Sequence, residues 1–138
     1  MTPTLAGRWQ TRLLLNWTIG AGISLLLGIF YRDFLSPFAV LGYMTGLGLV
    51  WDFVYLQVQS RRWDHDWSPA LYLVGAIWEL AALLAITQGL ELPGLASSYG
   101  AFPTLLQYTG ISLISFLTMF GPMRILFPRW RFRGGQWF

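Results

Sequence analysis

Polar side chains are sparse and clustered along this chain. Between the clusters run four long apolar stretches, about residues 11–31, 37–59, 69–89 and 103–127. Each is close to the ~20 residues that an α-helix needs to cross ~30 Å of hydrocarbon. Barrel strands would be shorter and would alternate, so the pattern predicts helices. Ser36–Pro37 opens the second stretch and Ser68–Pro69 the third: Ser offers an N-cap oxygen, and Pro at the first helical position loses no hydrogen bond. Pro103 opens the fourth, which closes before Pro128. The linkers "YRDFLS", "SRRWDHDWS" and "ELPGLASSYGAF" are short, which makes neighbouring helices antiparallel. The predicted fold is an all-α integral membrane protein, an antiparallel up-down four-helix transmembrane bundle. It forms one domain over residues 1–138, with a basic aromatic tail at 128–138.

Composition strengthens this reading. Of the 138 residues, 55% are hydrophobic and only 11% are charged, where a soluble domain carries about a quarter charged residues. Arg8 and Arg12 precede the first apolar run in the manner of a signal peptide. That run is long, however, and no small-x-small cleavage site follows before "YRDF", so it reads as a retained span. With no cysteine in the chain, disulfides, thiol nucleophiles and thiolate-bound metals are excluded.

The net charge of +3 does not point to nucleic acid. All nine basic residues are Arg, and they lie at the ends of apolar segments. Arg8, Arg12, Arg61, Arg62, Arg124, Arg129, Arg131 and Arg133 fall on one side of the predicted spans, and Arg32 alone falls on the other. The positive-inside rule then places both termini and the "RRWDHDW" loop in the cytoplasm, with the spans in a prokaryotic plasma (inner) membrane. The tail "RWRFRGGQWF" has two readings: an anchor on the anionic inner leaflet, where each Arg gains about 1 kcal/mol, or a disordered stop-transfer tail.

In lipid, helices are held together by close backbone approach and interhelical hydrogen bonds. Every span carries residues for this. Asn16, Gly20, Ser24 and Gly28 recur at every fourth position of the first, and Gly42 and Gly46 form a GxxxG in the second, with Gly48 beyond. Gly75 lies near Glu79 in the third, and Ser112, Ser115 and Thr118 share a face of the fourth. Gly42/Gly46 is read either as internal seam or as a dock for a partner helix.

Two acids lie inside apolar runs, where an ionised group costs at least about 2.5 kcal/mol and needs a partner, a proton or a water-filled site. Counting rise places Asp52 roughly 7–8 Å from the cytoplasmic end of its span and Glu79 roughly 15 Å in, near the midplane. Arg124 and Asn16 match Asp52 in depth, so Arg124 either pairs with Asp52 or snorkels to the inner surface. On a straight helix Arg124 points away from the Ser115/Thr118 face. Glu79 has no cation at its own depth. It is expected to carry a proton and to donate to Ser115 or Thr118, either as structural glue or as a proton or cation site.

In the loop, Asp64, His65 and Asp66 are metal-ligand types, but three consecutive residues rarely converge on one ion, and no metal spacing supports them. Together with Arg61 and Arg62 they read as an interfacial loop anchored by Trp63 and Trp67, with Asp66 and Ser68 favouring the start of the next helix. There is no GxSxG, no Walker loop and a single His, so no catalytic residue, metal or cofactor is assigned. Three functions follow. The first is a non-catalytic accessory or scaffold subunit, partnered in the bilayer by other membrane subunits or by its own copies. The second is an oligomeric small transporter or channel with Glu79 and Asp52 as its proton or cation site. The third is a membrane enzyme whose acids share a cytoplasmic-face cavity.

Overall fold

The structure, a computed structural model, describes residues 2–138 and is all-helical, with no strand among them. Four helical stretches, Leu5–Tyr31, Leu35–Ser60, Pro69–Gly89 and Ala101–Leu126, are long and apolar enough to cross a membrane. We label the helices α1 (Leu5–Tyr31), α2 (Leu35–Ser60), α3 (Pro69–Gly89), α4 (Ala101–Phe120), α5 (Pro122–Leu126) and α6 (Pro128–Phe132). Each long helix packs on the next, and α4 returns to α1.

Helix α1 starts six residues earlier than the apolar run, at Leu5, because Thr4 caps it by accepting from the Gly7 N–H at 3.1 Å. Arg8 and Arg12 therefore lie one and two turns inside a helix rather than before it. Over Asn16–Gly20 this helix widens by a single π turn. Helix α3 starts as its Ser-Pro pair predicts, with Ser68 accepting from Leu71 N–H. Helix α2 does not. Ser36 lies inside the first turn, and the capping group is Asp33, which accepts from the Leu35 and Ser36 N–H groups and from the Ser36 hydroxyl. These bonds, Ser36 Oγ foremost, hold the Asp33 carboxyl below its ordinary value. The Ser36 hydroxyl also accepts from Ala96 N–H at 2.9 Å, tying down the α3–α4 loop.

The apolar core gathers Val40, Leu41, Met44, Leu83, Tyr99, Tyr108 and Ile111. Beside it lies a buried amide that no apolar periodicity or spacing announces. Gln107 donates to Ser24 Oγ and the Pro37 carbonyl and accepts from Tyr99 OH, so it joins α1, α2 and the α3–α4 loop. Asn16, Gly20, Ser24 and Gly28 are all buried, and Asn16 donates to Thr45 Oγ1 at 3.0 Å. Gly42 and Gly46 are not part of any internal seam. Both are exposed, and a methyl added to either would meet nothing within 4 Å.

The tail is helical over Pro128–Phe132 and packs against the bundle rather than trailing from it. Helix α6 folds back onto the start of α1. The Trp130 indole is 2% exposed and donates to Thr11 Oγ1 at 2.8 Å, while Thr11 donates to the Gly135 carbonyl. The Thr4 N–H donates to Gly134 O at 2.9 Å. The approach is so close that a Cβ on Gly7 would lie 2.1 Å from that same oxygen, so only glycine fits there.

Candidate functional site

The site is built on Arg12. Its Nε and Nη2 donate to the two Asp52 oxygens at 3.0 and 2.9 Å, and Nη1 and Nη2 donate to the two Glu79 oxygens at 2.9 and 3.0 Å. One planar fork thus holds carboxylates from two other helices, a geometry that guanidinium provides and ammonium does not. Asp52 is 1% exposed and Glu79 5%. The guanidinium reaches them because α2 carries Gly48 one turn from Asp52: a Cβ there would sit 2.2 Å from Arg12 Nη1. Tyr108 completes the cluster, its hydroxyl donating to Glu79 at 3.3 Å.

This corrects two expectations. Glu79 does have a cation within reach, because Arg12 stands inside α1 and its side chain is long. Asp52 pairs with Arg12 rather than Arg124. Neither Ser115 nor Thr118 bonds Glu79. Ser115 is buried with its hydroxyl unpartnered, and Thr118 is half-buried.

The cluster lines a cavity of about 100 Å³, which also touches Arg8, Arg124, Tyr72, Ser112 and Ser115. A buried water needs about 10–15 Å³ by this measure, so there is room for several waters or one small polar group. Arg124 reaches this wall because the helix breaks. Pro122 has no N–H to give to the helix ladder, and Gly121 takes a non-helical backbone, so α5 leaves at an angle from α4. The straight-helix count that turned Arg124 away from Ser115 does not survive that kink. Arg124 lies over the Phe120 ring at 4.5 Å, and Arg8 over the Trp67 ring at 4.2 Å while donating to Gln59 at 2.7 Å.

Trp67 is accordingly an inward residue, 7% exposed against Tyr55 and Arg8, whereas Trp63 is 91% exposed. The loop acids lie outside the cavity lining. Arg62 grips Asp64 through two hydrogen bonds and holds its carboxyl down at about 2. Arg61 and His65 are exposed, and His65 has φ 50°. Asp66 donates its N–H to Asp64. Among the described residues no group of His, Cys, Asp and Glu could hold a metal ion. Gly75 packs under Tyr55, whose hydroxyl donates to its carbonyl at 3.1 Å.

Compared with protein-family models, with curated proteins and with solved structures, the chain matches none of them.

Proposed function

We propose that this chain is an antiparallel four-span membrane protein and that its working part is the polar chamber around Arg12, which takes up a small polar ligand as a binding or transport module. Support for the up-down order comes from contact pairs that run in opposite directions along α1 and α2: Arg8 with Gln59, Arg12 with Asp52, and Asn16 with Thr45. Support for the bilayer comes from the outward faces, which carry Leu26, Phe30, Val74, Ile77 and Leu117, each more than half exposed. So large an apolar belt calls for an apolar surrounding. Because the chain has no cysteine, single reporters are clean. Ser97→Cys should react with an impermeant maleimide on intact cells, and Phe138→Cys only after permeabilisation. Labelling of both from the same side rejects the four-span order.

One observation carries the functional reading: Arg12, forked between two buried acids, forms the wall of a cavity. A bundle that only scaffolds has no use for a space lined by ions, since charge inside a membrane is costly and a packed apolar seam is not. The full chain, extracted in mild detergent, should hold a small-molecule or lipid adduct in native mass spectrometry. Ala76→Phe, placed to fill the cavity, should lose that adduct while keeping the wild-type helix content. The open Gly42/Gly46 face favours a second reading, the accessory subunit. A foreign membrane protein copurifying in fixed ratio, with no adduct, selects that reading over the first.

A further inference from the structure

We propose that the chamber is an anion site, in which Arg8 and Arg124 hold a phosphate or carboxylate group. This rests on the chamber reading above and specifies its ligand.

The cavity is lined by five charged side chains: the cations Arg8, Arg12 and Arg124 and the anions Asp52 and Glu79. If all are ionised, the lining carries one positive charge more than it cancels. Net charge enclosed among helices is costly, and one bound anion removes it. The anions already in place are committed. All four carboxylate oxygens accept from Arg12, and Glu79 also accepts from Tyr108. A metal ion or ammonium entering the chamber would meet occupied acids and two further guanidiniums. The expected proton or cation site at Asp52 and Glu79 is thereby disfavoured, and the same residues favour a ligand of opposite sign.

The unused hydrogen-bonding capacity agrees. Of the five N–H donors on a guanidinium, Arg12 employs donors on all three of its nitrogens. Arg8 makes one side-chain hydrogen bond, to Gln59, and Arg124 makes none among the described residues. The Nε atoms of Arg8 and Arg124 and the Ser115 hydroxyl are all buried and unpartnered. Buried donors without acceptors are rare and call for a missing partner. Both of these arginines lie over aromatic rings, Arg8 on Trp67 and Arg124 on Phe120. Stacking occupies the face of a guanidinium and leaves its edge donors available, and oxyanions are gripped by those edges. The available donors therefore match an acceptor-rich, negatively charged group. Such a group can come from a free oxyanion or from the headgroup of an anionic lipid.

The experiment uses the full chain in neutral detergent and in vesicles. Inorganic phosphate is titrated against its thermal unfolding. Separately, the chain is reconstituted in phosphatidylcholine alone or with phosphatidylglycerol and examined for bound lipid. The inference expects phosphate to raise the unfolding temperature, or phosphatidylglycerol to be retained selectively, or both. Phosphate alone identifies a free anion, and phosphatidylglycerol alone identifies a lipid headgroup. Arg124→Gln and Arg8→Gln should each weaken the effective anion by at least about tenfold, the loss of one charge-assisted hydrogen bond. Arg129→Gln, on the exposed face of the tail, should leave it unchanged. A general salt effect equal in all three variants overturns the inference. A neutral or cationic adduct lost in Ala76→Phe, with no response to either anion, also overturns it while leaving the chamber reading in place. Absence of any adduct, together with no anion response, overturns both.

Discussion

Arg12→Gln is expected to destabilise the bundle by about 3–5 kcal/mol, the range seen when one partner of a buried ion pair is removed. Asp52 and Glu79 are both nearly inaccessible, and Arg12 supplies every one of the four guanidinium hydrogen bonds they accept. Without it, two carboxyls face each other in a low-dielectric space with only the Tyr108 hydroxyl and the more distant Arg8 for relief. Reversible unfolding of the full chain in mixed detergent micelles measures the loss. The informative comparison is the triple variant Arg12→Gln, Asp52→Asn, Glu79→Gln, which removes all the charge together. If the loss comes from orphaned acids, the triple variant recovers much of it, because replacing a whole buried ion cluster is far milder than breaking one. If the triple variant is as unstable as the single one, the forked guanidinium contributes through shape and hydrogen bonding instead. Asp52→Asn alone should cost less than Arg12→Gln, since Glu79 still balances the guanidinium.

Much of the fold could be read before any coordinates, because twenty-residue apolar runs admit few alternatives. The four long helices fall where those runs lie, and α3 matches to the residue. The site was far less legible, and the reason is specific. Arginines near the end of an apolar run were counted for orientation, and that use hides pairing. Yet a signal was present. The four-residue spacing of Asn16, Gly20, Ser24 and Gly28 continues backwards through Arg12 and Arg8. On an ideal helix such a stripe drifts by about 40° per step. The π turn at Asn16–Gly20 takes back part of that drift and keeps both ends of the stripe toward the interior. A second signal was Gly48, one turn before Asp52, which leaves space for a large partner beside the acid. A straight helix through Gly121–Pro122 misplaces Arg124, and both residues argue for the break that is found there. Gly42/Gly46 shows the complementary limit: a GxxxG spacing says nothing about which face it lies on, and the exposed position of both glycines removes the internal-seam reading while leaving the partner dock open.

The tail carries the other large effect. Trp130→Ala should cost about 3–5 kcal/mol, as truncation of a buried Trp does in a core. Its ring is packed with Leu15 and Met123, and its indole N–H is the donor to Thr11, whose own hydroxyl reaches Gly135. Removing the indole therefore opens a cavity and breaks a relay that joins the two ends of the chain. Trp130→Phe separates these contributions. It keeps most of the packing and loses the donor, so a cost nearer 1 kcal/mol is expected. Phe132→Ala, two residues along the same helix but 82% exposed, should change stability by no more than about 0.5 kcal/mol. Limited trypsin digestion gives an independent reading, since Arg129, Arg131 and Arg133 lie in the segment that Trp130 pins down. Trp130→Ala should be cut there much faster than wild type, and Phe132→Ala at the wild-type rate. Gly7→Val should copy Trp130→Ala in both assays although it removes no contact, because its side chain would occupy the space taken by the Gly134 carbonyl. Were Trp130→Ala and Phe132→Ala to behave alike, the tail would not be fastened to α1. The chamber would then lose the part of its lining that Trp130 contributes.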